Sequence, residues 1–151
     1  MSTPADEDLA GIRAWFEDLG NNVNALDFAA GRTQITDDFL SFSTFQDIVE
    51  GKDEAEFKQW RNVWPKTTGF KARLDSVRAF VSPDRLMAVG IAVWDSTGYD
   101  EDGKPFPRPG RATISFTRAR VGDPWLSNHG HMSLMRGVPA VSHGPRGKQA
   151  E

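Results

Sequence analysis

Leu9, Ile12, Phe16, Leu19, Val23 and Leu26 recur at three- and four-residue spacing, and Trp15 and Phe28 widen the same stripe. That is the period of an amphipathic helix over roughly residues 7 to 30. A helix with one apolar stripe must cover it with a second layer, so the rest of the chain has to supply that layer. Asp6 suits the N-cap, acids occupy the first turn, and Gly31 suits the stop. Residues 1–6 read as disordered, Gly20-Asn21-Asn22 weakens the middle of the helix, and a short helical turn fits Gln34 to Asp38.

From Phe39 the period changes to two, which predicts a strand continuing loosely to Gly51. A second helix starts there, with the charged run 52 to 58 as a solvated face and Phe57, Trp60, Val63 and Trp64 as its apolar stripe; Pro65 ends it. Four strands follow: Phe70 to Phe80, Leu86 to Asp95, Arg111 to Val121, and Trp125 to Met135. Leu86 to Asp95 is the most apolar and should be central. Tyr99 to Gly110 is acidic and proline-rich and reads as a loop unfit for a sheet interior. The order predicts an α+β fold, a cone-shaped curved antiparallel sheet packed on about three helices from the N-terminal half. One domain should span residues 7–138, between a disordered start at 1–6 and a flexible tail at 139–151.

Composition narrows the function classes. The 151 residues suit a single domain, and a chain of this size buries about 68–70% of the surface it would expose unfolded. With no cysteine there are no disulfides, thiolate nucleophiles or thiolate metal ligands. A net charge of -3 lacks the basic footprint of nucleic-acid binding. Met1 to Glu7 is acidic rather than signal-like, and no apolar run reaches the roughly 20 residues of a membrane span. The expectation is a soluble, cytoplasmic protein. No glycine-rich dinucleotide loop is present, so no redox cofactor is expected. Five Trp and ten Phe with a single Tyr can fill a core or line an apolar cavity.

The candidate site centres on Trp125 to Met135. Strict alternation along a strand puts Trp125, Ser127, His129, His131, Ser133 and Met135 on one face. Two imidazoles and two hydroxyls flanked by large apolar groups suit a pocket wall. His129 and His131 are candidate acid–base catalysts, since an ordinary histidine titrates near 6.5; the plainer reading is a structural or binding role. Two histidines could also supply two metal ligands, with Asp47 or Asp95 as a third. Arg111 could bind a carboxylate from the neighbouring strand or pair with the acidic loop. Thr113, Ser133, Ser43 and Trp94 are further candidate wall residues, and Trp60 and Trp64 could stack on a flat ligand or fill the core.

The segment Gly103-Lys104, Arg111-Ala112-Thr113, Phe116-Thr117-Arg118, Gly122, and Trp125-Leu126 through His129-Gly130-His131-Met132-Ser133 to Pro139 resembles the C-terminal half of SnoaL-like proteins, in the nuclear transport factor 2-like superfamily. A similar ending occurs in the association domain of calmodulin-dependent protein kinase. Val49-Glu50-Gly51-Lys52-Asp53 to Trp60 resembles the family's step into its third helix. The resemblance covers roughly residues 8 to 139. It implies a cone fold and a homodimer through the outer sheet face. It leaves function open among steroid isomerases, polyketide cyclases, dehydratases, epoxide hydrolases and non-enzymatic assembly domains. The steroid isomerases' Tyr–Asp oxyanion pair has no match here, since Tyr99 is the only tyrosine and falls at a loop edge; Asp47 lies near where members carry an acid. Two expectations emerge. One is a cofactor-independent enzyme using His129, His131 and Asp47 on an apolar, carbonyl-bearing substrate. The other is a non-catalytic module that binds a small ligand, such as an acid, or assembles as a dimer.

Overall fold

The computed structural model describes residues 3–145. Helix α1 (Pro4–Ala25) begins earlier than its apolar stripe predicts, because Thr3 rather than Asp6 is the cap. The Thr3 hydroxyl accepts from the Asp6 N–H while the Asp6 carboxylate accepts from the Thr3 N–H, a reciprocal capping box. The disorder expected of residues 1–6 is thus corrected for residues 3–6; Met1 and Ser2 lie outside the described residues. Leu26 ends the helix in a left-handed conformation, and Asp27 caps a separate α2 (Phe28–Arg32). Residues 34–38 form no helical turn. Ile35 already belongs to β1 (Ile35–Phe42), whose buried positions Ile35, Phe39 and Ser41 are in phase for a strand.

After β2 (Val49–Glu50), α3 (Gly51–Glu54) runs into a π-helical segment (Ala55–Trp60), then α4 (Arg61–Val63) and a 3-10 turn (Trp64–Lys66). The expected strand over 70 to 80 is split by a 3-10 turn at Leu74–Ser76 into β3 (Thr68–Ala72) and β4 (Arg78–Val81). β5 (Met87–Tyr99), β6 (Pro105–Pro107), β7 (Gly110–Thr117) and β8 (Leu126–Leu134) complete the sheet.

The strand order is β2-β1-β8-β7-β5-β3, with β4 and β6 also paired to β5. Every pairing is antiparallel except β1 with β8. β5 is the central strand its apolar character predicts. Its inner face carries Ala88, Gly90 and Ala92, small enough for α1 to lie close; Ile12, Trp15 and Phe16 pack there against Ile114 and Phe116. Ile35, Phe39, Val49 and Ala55 form a second apolar cluster. The result is the expected α+β cone, a curved sheet closed over helices. Among the described residues no helix is long and apolar enough to cross a membrane.

The tail expected from residue 139 is tied down as far as it is described. Ser142 donates its hydroxyl to the Lys66 carbonyl and accepts from the Tyr99 N–H, and the His143 N–H donates to the Tyr99 carbonyl. Residues 146–151 lie outside the described residues.

Candidate functional site: an aromatic pocket with a buried arginine

Between the helices and the inner sheet face lies a cavity of about 100 Å³. Trp15, Leu19 and Val23 line it from α1, Ile35, Phe39 and Ser41 from β1, and Ile114, Ser127, Gly130 and Met132 from β7 and β8. Ala55, Gln59, Trp60 and Trp64 come from the second helical region. Phe70, Trp94 and Arg108 add to the lining from β3, β5 and the link between β6 and β7.

The helical side is arranged by a local irregularity. In a π turn the bond runs from i to i+5 and one residue is extra, which rotates the later residues around the axis. Gln59 and Trp60 face the cavity, while Phe57, expected on the apolar stripe, is 58% exposed. Glu56, expected on a solvated face, is buried and takes ion pairs from Arg32 and Arg61. Trp60 stacks on Trp64 with centroids 4.8 Å apart, and Trp64 stacks on Phe28 at 5.2 Å. Gly31 seats that stack: a Cβ there would lie 2.9 Å from Trp64 and 3.0 Å from Trp60.

The sheet side differs from strict alternation. β7 pairs Ser115 with His129 but Phe116 with Ser127, so Asn128 is an extra residue, a β-bulge. The bulge breaks the expected row in two. Trp125 and Ser127 point inward, as do Gly130 and Met132 beyond it, whereas His129, His131 and Ser133 turn to the outer face. His129 Nδ1 lies 2.6 Å from the Leu40 carbonyl oxygen, and both imidazoles meet the Phe42 ring edge-on, at 5.7 and 5.4 Å. Arg111 and Thr113 are exposed on the same outer face, opposite Ser133 and His131. Asp47 is exposed between β1 and β2. None of these six residues lines the cavity; Ser43, Trp60, Trp64 and Trp94 do. Asp95 is paired with Arg73 at 2.8 Å, and among the described residues no three metal-ligating side chains converge.

The polar groups of the lining are mostly spoken for. Gln34 donates to the Trp15 carbonyl and accepts from Asn22. Gln59 accepts from the Gln46 N–H and donates to Thr44, Ser41 meets Ser43, and Ser127 donates to the His129 carbonyl. Two groups stand apart: the Trp94 indole N–H and Arg108 Nε are buried without a hydrogen-bond partner. Arg108 is only 4% exposed and forms no ion pair within 4.0 Å among the described residues. Burial pushes its guanidinium down from the ordinary arginine value. Its backbone is clamped: the Arg108 N–H donates to the Ser96 carbonyl at 2.8 Å, and the Ser96 hydroxyl donates to the Arg108 carbonyl at 2.7 Å. Pro107 and Pro109 restrict the chain on either side, and β6 pairs only with β5, where prolines are tolerated at an edge.

Sequence reasoning left Arg111 open between a carboxylate-binding arginine and a partner of the acidic loop, and read residue 108 as part of a loop unfit for a sheet interior. The signal available was the Pro-Arg-Pro run itself, which fixes an arginine in extended backbone where a flexible loop would use glycine or serine. Arg118, within the motif that carries the family resemblance, has a structural role: it donates to Asp8 at 2.7 Å and lies 3.8 Å over the Trp125 ring.

No sequence family and no curated protein matches the chain. Solved structures match over nearly its whole length. A nuclear transport factor 2-like superfamily protein from Salmonella enterica aligns with TM-score 0.71 at 16% identity, covering 91% of this chain and 97% of that one. The chain has the nuclear transport factor 2-like fold. A ketosteroid isomerase-like protein from Erwinia carotovora atroseptica aligns with TM-score 0.69 at 18% identity, covering 86% and 98%. The S. rosetta CaMKII hub aligns with TM-score 0.68 at 16% identity, covering 89% and 98%. At these identities the likeness is one of fold, and the nuclear transport factor 2-like fold carries both kinds of protein, so function rests on the site.

Proposed function

We propose that the chain is a small-molecule binding protein that holds a flat, largely apolar ligand in the cavity and associates as a homodimer through its outer sheet face. The lining carries the first part. Aromatic rings from several elements converge on about 100 Å³, which is smaller than the roughly 150 Å³ apolar cavity that takes up benzene and so limits a ligand to a single ring. The lining residues include no carboxylate and no imidazole. Proton transfer by His129, His131 or Asp47 would need those groups within hydrogen-bond reach of the substrate. The lining therefore favours binding over acid–base turnover in this cavity.

The second part rests on the outer face. Phe80 on β4, Met87 and Ile91 on β5, and Leu40 and Phe42 on β1 are all exposed, with the histidine pair beside Phe42. Large apolar side chains left exposed at both ends of one sheet face favour association through that face.

Gly130 offers the test of the binding reading. Its backbone is ordinary strand, and a side chain there would enter the cavity beside Ile114. Single-ring compounds should raise the melting temperature of the native protein. Gly130→Val should keep the circular dichroism of the fold and weaken that binding by at least about tenfold, the effect of about 1.4 kcal/mol. A native protein whose melting temperature no ring compound moves would sink the proposal.

A further inference from the structure

We propose that Arg108 is the anchor of an anion subsite and that the ligand of the pocket is a small monocarboxylic acid carrying one ring. This rests on the cavity being a ligand site and names the chemistry of that ligand. Three observations carry it. First, Arg108 lines the cavity and is almost fully buried, yet no carboxylate reaches it from any described residue. A buried charge without a partner is destabilising unless a partner arrives, and a planar guanidinium fits a carboxylate with two parallel bonds. Secondly, the stem is held for the purpose. Its carbonyl and amide are locked to Ser96, and its Cδ runs past Gly98, where a Cβ would come within 3.0 Å of it. An arginine fixed in this way loses little freedom when it binds. Thirdly, the amides and hydroxyls of the lining are engaged with the protein itself, and the buried, unpartnered Trp94 indole belongs to a ring 5.9 Å from the Arg108 guanidinium carbon.

The charge count selects the anion. Arg108 is the single cation among the lining residues. One guanidinium in an apolar, aromatic surround matches a monoanion, whereas a phosphate dianion would draw several donors and cations. The stacked Trp60 and Trp64, with Phe39 and Phe70, match the ring.

The test is isothermal titration of the full chain with benzoate and with its neutral counterpart benzamide, on the native protein and on Arg108→Met, at fixed salt. Native protein should prefer benzoate by about 10- to 100-fold, the range for a charge-assisted contact. Arg108→Met should lose that preference while its melting temperature stays level or rises, since an unpaired buried charge has gone. That pairing of a steady or higher melting temperature with lost acid binding is not what a merely structural arginine would give. Equal affinity for benzoate and benzamide in the native protein would overturn the acid subsite and leave the pocket reading standing. Binding of neither would overturn both. An undiminished benzoate preference in Arg108→Met would also overturn the role of Arg108. If Arg108→Met does not fold, Arg108→Gln, which keeps a donor but no charge, is read by the same criteria.

Discussion

Two arginines in this chain show how little the residue type alone decides. Arg108 is buried with no acid beside it, while Arg118 is buried against one. Asp8 accepts from Arg85 Nε at 2.7 Å and from Arg118 Nη2 at 2.7 Å, joining the N-terminal part of α1 to the hairpin ends of the sheet. The Arg85 hydrogen bond, reinforced by Arg118, holds the Asp8 carboxylate below its ordinary value. A carboxylate depressed in the folded state contributes stability that is complete above its unfolded value and drains away as pH falls through its folded one. Acid should therefore loosen the N-terminal contact from about pH 5 downward. Asp8→Asn should remove about 3 kcal/mol at neutral pH, the lower end for uncoupling a buried ion pair because Arg85 keeps 27% of its side chain exposed. It should also flatten the acid limb of the stability profile. Urea midpoints between pH 3 and pH 7 would show this; parallel profiles for native and variant protein would contradict it.

At the scale of elements, two single-residue irregularities decide which side chains meet. The π segment turns Gln59 and Trp60 inward and leaves Phe57 outside. The bulge at Asn128 keeps Trp125 and Ser127 in the core while sending His129 and His131 to the outer face. Deleting Asn128 would remove the extra residue and leave Ser127 inward and His129 outward in plain alternation, with their partners Phe116 and Ser115 unchanged. We expect the fold to survive with a stability change of about 1 kcal/mol or less, because no part of β8 has to change faces. The denaturant midpoint checks it. A deletion variant that loses about 3–5 kcal/mol, as much as truncating a buried tryptophan, would contradict it.

At the scale of the molecule, the cone has two sides with different chemistry. The inside holds an aromatic space; the outside exposes apolar side chains across β1, β5 and β4, including Phe80 at 72%. If the outer face joins two copies, a charge at its middle should separate them. Ile91→Glu should turn a dimer into a monomer in sedimentation experiments, since an unpaired charge in an apolar interface costs several kcal/mol. Ring binding inside the cone should survive, because Ile91 faces away from the cavity. A native protein that already sediments as a monomer would refute the association.

The fold was legible in the chain because periodicity is local. A stripe at helical spacing from Leu9 to Leu26, alternation from Phe39 onward, and turn residues between the strands each report a short-range preference, and together they allow few layer arrangements. Ser43 and Trp94 could be named from the chain as candidate wall residues, whereas for Trp60 and Trp64 the helical spacing left stacking on a ligand and filling the core both open. The face of the histidines and the identity of the interior arginine were not readable. A bulge moves every residue beyond it to the opposite side, and it depends on pairing with a strand elsewhere in the chain. Arg108 is buried only because β6 folds back on β5 and Ser96 clamps it there. Such placements arise from tertiary contacts, which spacing along the sequence does not encode.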